Sequence, residues 1–123
     1  MNNNNNPILL IDDNISIRES LVWIMEQQGC AIITANNGQE ALEMLHSGMN
    51  PAIIFLDLMM PIMDGYLFRQ LQNANPLLST IPTVIISASG HENKITLLPN
   101  EQFLQKPFDI LKLLEIIKKY CDE

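Results

Sequence analysis

Basic residues are scarce in this chain. Lys and Arg total 7 against 14 Asp and Glu, a formal net charge of -7. A nucleic-acid or anionic-membrane binder needs a basic face, so both classes are disfavoured. The balance suits cationic partners, a metal ion or a basic protein patch, and an acidic excess also serves solubility. Cysteines number 2, Cys30 and Cys121. They lack metal-type spacing and are too few for a disulfide framework, so reduced thiols in a cytoplasmic protein are the simplest expectation. No apolar run approaches the ~20 residues of a membrane span. The amino terminus, MNNNNN, lacks the basic and apolar regions of a signal peptide. Its polar tract predicts a disordered leader over residues 1–6, with residues 122–123 as a tail.

What remains is ordinary globular composition. With 123 residues, 47% hydrophobic and 17% charged, the chain is expected to form one domain, residues 7–121. Short apolar runs alternate with helical periodicity. Pro7–Ile11 is a continuous apolar run, as in a strand buried on both faces, and it ends at Asp12-Asp13-Asn14. Ile17, Leu21, Ile24 and Met25 fall at helical spacing, with Gly29 as a stop. Cys30–Ala35 reads as a second strand, and Asn37-Gly38 turns into a helix carrying Ala41, Leu42 and Leu45. Ala52–Leu56 is a third strand ending at Asp57, and Asp64-Gly65 opens a helix to about Asn73. Pro82–Ile86 is a fourth strand, residues 91–98 a short helix, and Gln102–Gln105 a weak fifth strand. The last helix runs to Tyr120, with Ile110, Leu113, Leu114 and Ile117 on one face and Lys118-Lys119 complementing its dipole.

Five strands alternating with five helices predict a parallel sheet covered on both faces. Right-handed crossovers place every strand's carboxyl end on one edge, where open α/β sheets bind ligands. Asp12, Asp13, Asp57, Ser87 and Lys106 all fall at that edge. Singly each has a plain structural use: a cap, a turn or a solvated charge. Jointly they form a site. Two carboxylates ~6 Å apart repel by roughly 3 kcal/mol at an effective dielectric near 20. Such a cluster relaxes by raising a pKa, by pairing with Lys106, or by taking up a cation. All-oxygen ligands favour Mg²⁺, Ca²⁺ or Mn²⁺ over Zn²⁺. An aspartate beside such an ion can act as a nucleophile toward phosphorus.

The segments ILLIDDN, FLDLMMPIMDG, VIISAS and FLQKPF together resemble the receiver domain of two-component response regulators, over residues 7–121. The resemblance implies a (βα)5 flavodoxin-like three-layer sandwich with strand order 2-1-3-4-5. It implies that Asp57 is the phosphoacceptor, supplied by the phosphohistidine of a sensor histidine kinase or a histidine phosphotransfer protein. Asp12, Asp13, Asp57 and the Met59 backbone carbonyl are then ligands of Mg²⁺, with Mn²⁺ as the alternative. Ser87 is the switch hydroxyl, Lys106 the phosphoryl-pairing ammonium before a cis Pro107, and Phe103 the switch aromatic. Phosphorylation is expected to alter the face made by the fourth helix, fifth strand and last helix, which a downstream protein or a second copy of the chain binds. The chain is then not an enzyme beyond its own phosphorylation and a slow to moderate dephosphorylation. A phosphohydrolase needs a second acid two residues after the nucleophile, where Met59 stands. A receiver-like module that never takes phosphate is the other rival.

Some positions depart from the family pattern. Met59 and Ser89 occupy places that tune phosphoryl lifetime in receivers, Met59 as a shield and Ser89 as a small residue. The stretch between Ser87 and Lys106 is a few residues short, and Leu97-Leu98-Pro99-Asn100 replaces a frequent Gly-Ala pair. Pro99 predicts a fourth helix that is short or irregular. Trp23 beside the first apolar stripe reads as packing, His46 as a helix-end side chain, and His91 as an ordinary loop residue. Met59, Met60 and Met63 read as loop filling or a partner contact.

Overall fold

A computed structural model describes residues 6–88 and 95–121. The strands are β1 (Ile8–Ile11), β2 (Ile32–Ala35), β3 (Ile53–Asp57), β4 (Thr83–Ala88) and β5 (Glu101–Lys106). The helices are α1 (Ile15–Gln27), α2 (Gly38–His46), α3 (Gly65–Ala74) and α4 (Ile110–Cys121). All strand pairs are parallel, and the five-stranded sheet has the order β2-β1-β3-β4-β5.

The strand sequences explain the order of layers. β1 and β3 are buried along their whole length, so their alternate residues feed two cores. Ile8, Leu10, Ile53 and Phe55 pack with Leu21 and Met25 of α1 and with Leu113, Ile116 and Ile117 of α4. Leu9, Ile11, Ile54 and Leu56 pack with Ala41, Leu42 and Leu45 of α2 and Phe68 of α3. β2 is an edge strand, and Ile33 is exposed there. Polar side chains start the helices. Asn14, Asn37 and Asp64 accept from the backbone N–H of Ile17, Glu40 and Leu67. Gly29, at φ 82, and Gly48, at φ 108, follow the ends of α1 and α2 in the left-handed region that glycine adopts freely.

Four expectations change. The described residues contain four helices rather than five. Residues 95–98, the described half of the stretch expected to form a short or irregular helix, are irregular. Pro99 and Asn100 instead form the centre of a turn in which the Glu101 N–H donates to the Leu98 carbonyl at 2.9 Å. The Glu101 carboxylate also accepts from the Leu98 N–H, and from Arg69 of α3 at 2.7 Å. On α4, Ile116 fills the core beside Leu113 and Ile117, whereas Ile110 in the first turn is exposed. Trp23 points outward and is 62% exposed, so it does not pack. Finally, Cys30 and Cys121 are not free thiols but form a disulfide with Cα atoms 5.6 Å apart. The sheet order brings the end of α1 and the end of α4 together on one face, a proximity that 91 intervening positions conceal. Ser89, His91, residues 1–5 of the expected leader and the tail at residues 122–123 lie outside the described residues.

Candidate functional site

The parallel register sets the site. Asp57, last in β3, pairs with Ile86 of β4, and Ala88 pairs with Lys106, last in β5. Ser87 therefore lies between them along the edge. Asp12 and Asp13 follow β1, whose last residue pairs with Leu56. Ligand oxygens of Asp12, Asp13 and Asp57 lie within 4.8 Å of one another. Asp12 and Asp57 are buried and Asp13 is exposed, so the cluster opens to solvent on the Asp13 side.

Each carboxylate is held differently. One Asp12 oxygen accepts from the Asn14 N–H at 2.9 Å, an Asx turn leading into α1. Its other oxygen, Oδ2, is buried and accepts no hydrogen bond within the described residues. The Lys106 ammonium stands 3.9 Å from that oxygen and 3.5 Å from Asp57 Oδ1. These are long contacts, with the lysine side chain reaching in from the rim. One ammonium cannot neutralise three carboxylates. Burial and the neighbouring Asp12 charge push the Asp57 carboxyl up to about 6, against the pull of Lys106 and of the Met59 backbone N–H.

These residues fit a small, hard divalent cation. The donors are all oxygen, one of them a buried oxygen without a hydrogen-bond partner. An ion with bonds of about 2.0–2.1 Å spans about 4.2 Å between opposite ligands. A set confined within 4.8 Å therefore matches such an ion and its retained waters.

Ser87 is buried near the end of β4, the strand between those that carry Asp57 and Lys106. The Lys106-Pro107 peptide is cis, as the resemblance implies. The Met59 side chain is 63% exposed, and its backbone N–H donates to the Asp57 carboxylate. Phe103 is half-buried opposite Ile85. Strand alternation puts it on the other sheet face from Lys106, outside the acidic cluster.

Three residues support the site, and two of them, Arg18 and Ile62, carry little signal in the sequence. Arg18, one turn into α1, donates to the Asp12 carbonyl at 3.0 Å and to the Asn36 side chain, tying the β1 and β2 ends together. Gly65 lies against the backbone of β3. A Cβ there would stand 2.5 Å from the Asp57 carbonyl oxygen and 2.7 Å from the Leu58 Cα. Ile62, at φ 69, is the centre of a tight turn closed by the Met63 N–H on the Pro61 carbonyl at 2.7 Å. That is the strained form of the γ-turn, adopted here by a β-branched residue in the loop that follows Asp57.

The response regulator receiver domain family matches residues 8–118. Protein PilG of Pseudomonas aeruginosa is 33% identical over 92% of this chain and 85% of its own length. A CpxR-homologous transcriptional regulatory protein of Haemophilus influenzae is 33% identical over 90% of this chain, which spans 48% of it. The receiver domain of Francisella response regulator 1452 superposes with a TM-score of 0.81 at 29% identity, covering 95% and 97% of the two chains. With these likenesses and the acidic edge of its parallel sheet, the chain belongs to the response regulator receiver domains of two-component signalling.

Proposed function

We propose that Asp57 accepts a phosphoryl group from the phosphohistidine of a sensor histidine kinase or histidine phosphotransfer protein. One observation carries the reading: a buried aspartate shares a 4.8 Å cluster with two more carboxylates, and a lysine reaches to 3.5 Å of it. An Asp57 oxygen attacks phosphorus, an O–P bond forms, and the P–N bond breaks with its electron pair leaving on the imidazole nitrogen. Asp12, Asp13, Asp57 and the Met59 carbonyl are the ligands for Mg²⁺, with Mn²⁺ as the alternative. The bound ion supplies charge neutralisation of phosphoryl oxygens. Lys106 pairs with a phosphoryl oxygen, and the Ser87 hydroxyl turns to donate to another.

The chain acts as a substrate of its own chemistry and not as an enzyme. Met59 offers no second acid beside Asp57, and its apolar side chain favours slow to moderate loss of the phosphoryl group. Added negative charge at the carboxyl end of β3 biases Phe103 and the surface of β5 and α4, which a downstream protein or a second copy of the chain reads. A cytoplasmic location fits a kinase-fed module, and no described helix is long and apolar enough to cross a membrane.

Incubation with acetyl phosphate and Mg²⁺, followed by intact mass measurement, tests this. One added phosphoryl group is expected, absent in Asp57→Asn. An unmodified wild type under those conditions makes the chain a passive module instead.

A further inference from the structure

We propose that Cys30 and Cys121 form a reversible thiol–disulfide site that clamps the end of α4 to the sheet, closed by glutathione disulfide and opened by glutathione. The two Cα atoms are 5.6 Å apart, so the pair needs no backbone movement to join. Cys30 is held on one side by its own N–H donating to the Met25 carbonyl at the end of α1. Its sulfur belongs to the core that receives Leu113, Ile116 and Ile117 of α4, where Tyr120 and Cys121 pack at the margin. Cys121 is the last residue of α4. The bond thus ties a helix terminus to a buried position just before β2.

The pair lies at the far pole of the sheet from Asp57, because Cys30 precedes β2 while the acidic cluster follows the strands' carboxyl ends. It is chemically independent of the site. In compartments rich in glutathione, disulfides are rare, and those that form are mostly redox-sensing or catalytic. Accessibility sets the order of events. Cys30 is 9% exposed whereas Cys121 is half-buried. The Cys121 thiolate attacks glutathione disulfide and releases one glutathione thiolate. The Cys30 thiolate then attacks the Cys121 sulfur of the mixed disulfide and expels the second. Two protein thiols lose two protons and two electrons, and two glutathione thiols are formed. Closing the bond restrains the carboxyl end of α4, a helix that borders β5, without touching Asp57.

The full chain equilibrated over a series of glutathione to glutathione disulfide ratios, with free thiols alkylated before mass measurement, tests the assignment. An intramolecular Cys30–Cys121 bond should close and reopen across the series with the chain remaining monomeric. Amide exchange in α4 from Leu113 onward should be about tenfold slower in the closed form. Cys121→Ser, altered at the half-buried end, should abolish that difference, and reduction of the wild type provides the same comparison without any substitution. Thiols that stay free in excess glutathione disulfide overturn the proposal. So does a bond that never reopens, which is a permanent staple, and so does equal exchange in the two forms.

Discussion

Asp57 is where the fold holds a charge at a cost. Its carboxyl sits at about 6 instead of 3.8, so the native state holds that proton more tightly than the unfolded chain. Metal-free stability therefore falls as pH rises from about 4 to about 6, and stays lowered above that. Asp57→Asn should raise metal-free stability at pH 8 by roughly 2–3 kcal/mol and change it little at pH 3.5, read by denaturant titration at both values. An equal gain at both would place the origin outside ionisation. Gly65 makes the complementary case from sterics. A Cβ placed 2.5 Å from the Asp57 carbonyl must move the β3 end or the start of α3. Gly65→Ala should cost about 2–4 kcal/mol and slow acetyl phosphate labelling at Asp57, because both residues share one backbone contact. Asp12, Asp13, Asp57, Ser87 and Lys106 are legible in the sequence because strand ends follow from alternation alone. Arg18 and Ile62 are not legible, since one acts on a backbone carbonyl and the other through its φ.

Among the elements, the β4–β5 connection departs most from its pattern. Without a helix over residues 95–98, Arg69 of α3 spans the gap, donating to both Glu101 oxygens and to the Thr96 carbonyl at 2.9 Å. The Glu101 side chain is fully buried, so Arg69 is its charge partner and not a surface ornament. Arg69→Ala should destabilise by about 3–5 kcal/mol, since it strands a buried carboxylate, and adding Glu101→Ala should recover part of that loss. A double-mutant cycle by chemical denaturation measures the coupling; additive losses would contradict it. Pro99 marks the fourth helix as short or irregular in the sequence, but nothing there pairs Arg69 with Glu101 until α3 and β5 are placed side by side. Periodicity likewise marks α4 as amphipathic yet misses Ile116, because packing begins one turn into the helix, at Leu113, and shifts the buried face away from Ile110.

At the scale of the whole molecule, the acidic excess and the cation site are linked. Three of the carboxylates gather within 4.8 Å, and a cation that binds only the folded arrangement must stabilise it. Mg²⁺ at a hundred times its Kd should add about 2.7 kcal/mol to wild-type stability and much less to Asp13→Asn. Melting curves with and without the ion decide this, and an absent shift in the wild type would count against the site. The sheet order and the carboxyl-edge site follow from the alternation of segments and the family resemblance. The Cys30–Cys121 pairing does not, because spacing says nothing about two residues that meet only once the sheet and the helices on its faces are assembled.

The exposed position of Trp23 has an optical consequence. It is the chain's single tryptophan, and it faces solvent from the middle of α1 in the native state. Its emission should already resemble that of indole in water before unfolding, so fluorescence is a poor witness of global melting. The same indole is well placed to report a molecule that settles on α1: burial of its ring would shift the emission to the blue while the fold beneath stays unchanged.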